Sequence, residues 1–79
     1  MVTDRDVREI VATVLEVSVA DVGLDSSFHE ELEMNSLHKA ELVVSLEHAC
    51  GAEITSAEAA DLDTVRDVMR MLRDRRLVP

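Results

Sequence analysis

Apolar residues recur at helical spacing in separate stretches of this chain, and a long aperiodic stretch divides the first from the second. Val7, Ile10, Val11, Val14 and Leu15 form one stripe. Thr3 followed by Asp6 is an acidic variant of a capping box, so a first helix is predicted from about Asp4 to Leu15 or Glu16. From Val17 to Asn35 no period is sustained, and Gly23, Asp25, Ser26 and Ser27 favour turns. A loop of this length is unusual in a small domain and is often functional. Phe28 and Leu32, one helical turn apart, are expected to pin it to the core through a short helical turn. A second helix is predicted from Ser36 to Cys50, with Gly51 as its stop. Ile54 follows as a core residue in a short connection. Thr55 with Glu58 opens a short third helix over Ser56 to Ala60. Thr64 with Asp67 opens a fourth through Val65, Val68, Met69 and Leu72. The expected core covers about 4–73, with a frayed tail over 74–79.

On a helical wheel the second helix has two apolar groups. Leu42, Val43, Leu46, Ala49 and Cys50 cluster on one arc, taken as the core face. Leu37, Ala40 and Val44 fall on another arc beside Glu41 and His48. Apolar side chains on a charged flank are candidates for partner contact, or else pack under the long loop or lie exposed singly.

At 79 residues the chain allows a single domain, 1–79, with a thin core. Two glycines, one proline and many helix formers indicate an all-α fold. Cys50 is the lone cysteine, which excludes an internal disulfide and fits a reducing compartment. No apolar run approaches the ~20 residues of a membrane span, and the N-terminus is too acidic for a signal peptide. The expectation is a soluble, cytoplasmic monomer. The net charge is −9, and from Glu16 to Asp63 twelve acidic side chains face one basic one, Lys39. Such a segment repels nucleic acid and anionic lipid and attracts basic protein surfaces, unless it serves only solubility.

Catalytic and metal constellations are missing from the pattern. An EF-hand loop over Asp21 to Leu32 would need glycine and glutamate where Ser26 and Leu32 stand. His29, His38 and His48 have no i,i+4 pairing and no nearby cysteine, so no zinc site is expected. No glycine-rich phosphate loop or nucleophile triad can be placed. Cys50 reads as an inert, buried thiol. Ser36 remains: a serine at a helix start is most often an N-cap. Here it also ends a long loop, follows Glu30, Glu31 and Glu33, and precedes the apolar Leu37. A phosphodiester on its oxygen would lie at the positive end of the helix, where backbone N–H groups favour an anion.

The order Ser27-Phe28-His29-Glu30-Glu31-Leu32, Asn35-Ser36-Leu37, Glu41-Leu42-Val43, Leu46-Glu47, Glu53-Ile54 and Leu62-Asp63-Thr64-Val65 resembles the acyl and peptidyl carrier protein family from about Val7 to Leu72. The resemblance implies a four-helix bundle with a short third helix and a long loop between helices 1 and 2. It implies a carrier, not an enzyme. A phosphopantetheinyl transferase would place 4'-phosphopantetheine, taken from coenzyme A, on Ser36, with Asn35 and Leu37 flanking it. Loading and chain-processing enzymes would read Leu37, Glu41, Val44, Glu47 and His48, joined by Glu58 and Asp61 from helix 3. Neither metal, nucleic acid nor membrane enters this picture.

Two departures separate the chain from the family pattern. Asn35 stands where the signature Asp-Ser-Leu has its aspartate, and Glu33-Met34 replaces a common glycine-containing approach. His38, Lys39 and His48 make the helix less acidic than in fatty-acid carriers. These features lead to the expectation of a stand-alone carrier of polyketide or non-ribosomal peptide biosynthesis. The alternatives are a fatty-acid synthesis carrier, or an acidic interaction module that keeps the fold and uses Ser36 only as a cap.

Overall fold

Each of the four helices begins on a cap drawn from its own sequence, and the computed structural model, which describes residues 2–78, places the boundaries accordingly. The elements are α1 (Asp4–Leu15), a 3-10 turn (Val19–Asp21), α2 (Ser36–Cys50), α3 (Ser56–Ala60) and α4 (Val65–Asp74). No strand occurs among the described residues. The all-α, four-helix architecture with a short third helix and a long first loop is therefore as expected. Thr3, Thr55 and Thr64 each accept the N–H three residues on, from Asp6, Glu58 and Asp67, and each of those carboxylates takes the cap residue's own N–H. These are complete capping boxes.

The helix ends use left-handed residues. Gly51 (φ 67°) closes α2, its N–H donating to the Glu47 carbonyl. After α1, Glu16 (φ 57°) takes this conformation without being glycine, and Val17 N–H reaches back to the Ala12 carbonyl at 3.0 Å. After α4, Arg76 (φ 58°) does the same, with Leu77 N–H on the Leu72 carbonyl at 2.8 Å. Both are Schellman closures. The tail thus departs from the frayed segment expected: Leu77 and Val78 pack against the core, held by this closure. Pro79 lies outside the described residues.

The core forms where α1 packs on both α2 and α4. Val7 and Val11 of α1, Leu42 and Leu46 of α2, and Val65, Val68 and Leu72 of α4 are fully buried, joined by Val22 and Phe28 from the loop. Burying a side chain such as Phe28 contributes about 1.5–3 kcal/mol. Two expectations for α2 need correction. Ala49 is exposed, and Cys50 is only half-buried. Cys50 packs partly against the core, and this burial raises the thiol's pKa, which fits an inert group. The Arg75 charge nearby acts to lower it.

The long loop is tied down rather than structureless. Arg8 of α1 donates to the Val22 and Val19 carbonyls at 2.7 and 3.2 Å, clamping the 3-10 turn that periodicity did not predict. Phe28 N–H donates to the Asp63 carbonyl at 2.6 Å, and the Asp63 carboxylate accepts from Ser27 Oγ and His29 N–H. Arg66 of α4 grips Asp25 through two hydrogen bonds, at 2.7 and 3.0 Å. Leu32 N–H and Glu31 N–H both donate to the Ser27 carbonyl, making the expected turn around Phe28. By these bonds the loop delivers residues 33–35 to the start of α2 in a fixed position.

Candidate functional site

Asn35, not Ser36, caps α2. Its Oδ1 accepts His38 N–H at 2.8 Å, and its own N–H donates to His38 Nδ1 at 3.2 Å. This is a capping box built from an amide and an imidazole. The alternative in which Ser36 serves only as a cap is not what the structure has: Ser36 occupies the first helical position, exposed, with its hydroxyl in no hydrogen bond among the described residues. Asn35 and Leu37 flank it, both exposed. Sequence reasoning missed the cap because serine and asparagine share the same preference for that position.

The local field also distinguishes α2. The first turns of α1, α3 and α4 each contain an acidic residue, whereas the first turn of α2 contains none. The partial positive charge at this helix start therefore meets no carboxylate of its own first turn. An anion on the Ser36 oxygen would fit there. The approach is strained: Glu33 takes a φ of 54°, the left-handed region that glycine enters most cheaply.

Ser36 stands on the rim of an open cleft of about 1320 Å³ between α2 and α3. Its walls are largely apolar, from Met34, Val43 and Val44 on one side to Ile54, Ala59 and Leu62 on the other. The cleft opens here because α3 packs less closely on the other helices than α1 does on α2 and α4. His29, Glu30, Lys39 and Asp63 are the ionisable residues on its lining. Lys39 Nζ donates to the Leu62 carbonyl at 2.5 Å.

The expected partner face divides in two. Leu37 and Val44 are exposed at 67% and 52%, against full burial of Leu42 and Leu46, so the wheel separated the two arcs correctly. Glu41 and His48 are exposed beside them. Asp61 is exposed at the end of α3. Glu47 is different: it is half-buried and its carboxylate accepts Ile54 N–H at 2.9 Å, anchoring the connection after α2. Glu58 closes the α3 capping box and faces Arg75 at 3.5 Å. The hydrogen bonds from Thr55 hold the Glu58 carboxyl below its ordinary pKa, aided by Arg75. Both acids were expected on the partner-reading surface; the Thr55–Glu58 box is as the sequence indicated, and the Ile54 and Arg75 contacts are additional structural partners.

Among the described residues no cluster of three or more His, Cys, Asp or Glu could hold a metal ion. Among the described residues, no helix is long and apolar enough to cross a membrane.

Comparison with known proteins agrees with this geometry. Residues 5–72 match the family model described as the phosphopantetheine attachment site. The acyl carrier protein of Chlamydia trachomatis serovar D is 40% identical over 75 residues, covering 95% of this chain and 97% of that protein. That of Chlamydia muridarum is 39% identical over 75 residues, with the same coverage. That of Treponema denticola is 35% identical over 69 residues, covering 87% and 88%. The chain belongs to the acyl carrier protein family, which carries acyl groups on covalently attached 4'-phosphopantetheine.

Proposed function

We propose that Ser36 is the attachment point and that the chain is a carrier of fatty-acid synthesis, not a catalyst. The observation that carries the reading is the start of α2: an exposed Ser36 hydroxyl, with no hydrogen bond among the described residues, at the first position of a helix whose first turn has no acid. When bound, the phosphopantetheine group supplies a terminal thiol that holds an acyl chain as a thioester. The residues around it divide the remaining tasks. The α2 backbone N–H groups offset the phosphodiester's charge, and Asn35 and His38 keep that turn wound. Leu37, Val44, Glu41 and His48 form the face that a transferase or chain-processing enzyme would read, with Asp61 beside it. Glu47 and Glu58 act indirectly, by fixing the connection and the third helix behind that face.

Support for fatty acyl cargo over polyketide or peptide cargo comes from two sides. The relatives are named simply as acyl carrier proteins, and the chain spans nearly their whole length. The cleft beside Ser36 is walled largely by apolar side chains, a surface compatible with the first carbons of an alkyl chain. The histidines and lysine of α2 had favoured the specialised pathways, but His38 is occupied as a cap and Lys39 bonds to Leu62. Both side chains therefore have structural partners, and of the three only His48 stands exposed on the recognition face. The test is reconstitution: the loaded protein should accept a malonyl group from a fatty-acid transacylase and support chain elongation. Loading only by adenylating or polyketide enzymes would overturn the cargo assignment.

A further inference from the structure

Lys39 is the one basic residue between Glu16 and Asp63. It lies one turn after Ser36 and lines the same cleft. Its side chain is half-buried, and its ammonium crosses from α2 to the Leu62 carbonyl on the opposite wall. Leu62 joins α3 to α4, and its own side chain is buried in the core. The bond therefore ties the two walls together close to the rim from which any chain on Ser36 must enter. An alkyl chain passing between those walls must either displace the ammonium from its carbonyl or lie against a charged group. Both are unfavourable, because a charge or a carbonyl stripped of its partner in apolar surroundings is costly. No acidic side chain forms a salt bridge with Lys39 among the described residues, so the carbonyl is the contact that holds it.

We infer that Lys39 is a chain-length specificity residue: a latch across the cleft that disfavours burial of long alkyl chains and leaves short ones unaffected. It rests on the reading of Ser36 as the attachment point, and it deepens that reading. Long chains are then held more at the surface, available to partner enzymes, than the width of the cleft alone would give.

The test installs the chain chemically, so that no transferase is needed. In a Cys50→Ala background, Ser36→Cys is alkylated through a pantetheine-length spacer ending in either a decyl or a methyl group. The rise in melting temperature from methyl to decyl is then compared for Lys39, Lys39→Met and Lys39→Arg. Lys39→Met keeps the aliphatic stem and removes the donor; Lys39→Arg keeps a donor. The decyl increment should be several degrees larger in Lys39→Met than in the parent, with Lys39→Arg close to the parent. Amide exchange in α3 should slow on decylation chiefly in Lys39→Met. Equal increments in all three proteins, or a Lys39→Arg increment as large as that of Lys39→Met, would overturn the latch. Failure of a transferase to modify wild-type Ser36 would instead remove the carrier reading, while this comparison still reads the latch.

Discussion

Asn35 and His38 hold each other's backbone N–H groups, Asn35 through Oδ1 at 2.8 Å and His38 through Nδ1 at 3.2 Å. The pair winds the first turn of α2 without a carboxylate in it, and leaves the Ser36 hydroxyl without a hydrogen bond among the described residues. Asn35→Ala should cost about 0.5–2 kcal/mol, the usual loss for an N-cap. Asn35→Asp should keep the cap and add a favourable charge–dipole interaction of about 0.3–1 kcal/mol. It should also raise the rate of Ser36 modification, by restoring the carboxylate of the family signature. Denaturant melts and a timed modification assay check both; an unchanged rate would mean the missing charge is unimportant.

Glu41 and Glu47, both expected on the partner face, should behave differently on charge reversal. Glu41→Lys removes an exposed charge and should slow partner encounter with little change in stability. Glu47→Lys deprives the Ile54 N–H of its acceptor and should cost roughly 1–3 kcal/mol. A melting temperature equally unchanged in the two variants would contradict the structural assignment of Glu47.

Glu33 enters the left-handed region at φ 54°, as Gly51 does at φ 67°. Substituting glycine relieves strain of roughly 1–2 kcal/mol, offset in part by the greater freedom glycine gives the unfolded chain. Glu33→Gly should therefore be neutral or stabilising by up to about 1 kcal/mol, whereas Gly51→Ala should destabilise by a similar amount. Urea melts of the two variants decide it, and a clear loss in Glu33→Gly would show that the side chain has a stabilising role of its own.

Acid should weaken the bundle through carboxylates whose pKa values are lowered on folding. The Arg66 hydrogen bond lowers Asp25, and the hydrogen bonds from Thr3 and Thr55 lower Asp6 and Glu58. Stability from such groups is present above the ordinary carboxylate range, around pH 4, and is lost as pH falls through the lower folded values. Relief of repulsion at net charge −9 opposes the loss. The comparison with Glu58→Gln isolates one contribution: the variant should be less stable at neutral pH and converge on the parent below about pH 4. A constant difference at all pH values would contradict it.

The starts of α1, α3 and α4 and the end of α2 were legible in the sequence because each has its own signal: Thr3, Thr55 and Thr64 with an acid three residues on, and Gly51 after the last turn of α2. The exposed arc of Leu37 and Val44 was legible from periodicity alone. What escaped is non-local. Burial of Val22 and Met34 in an aperiodic loop depends on Arg8 and Asp63 holding that loop. The partners of Glu47 and Glu58 lie beyond any helical period, at Ile54 and Arg75. The closure after α4 required Arg76 to adopt a conformation that its identity does not announce. Whether Asn35 or Ser36 caps α2 is a single-residue ambiguity between two good caps, and the structure assigns the role to Asn35.

The claim that Ser36 carries the arm is tested most directly by intact mass. The protein would be incubated with coenzyme A, magnesium and a broad-specificity phosphopantetheinyl transferase, beside Ser36→Ala and a known carrier as control. A gain of one phosphopantetheine in the wild type, lost in the alanine variant, is the expected result. No gain while the control is modified, even with Asn35→Asp, would contradict the account and favour a bundle that binds partners through α2 without carrying cargo.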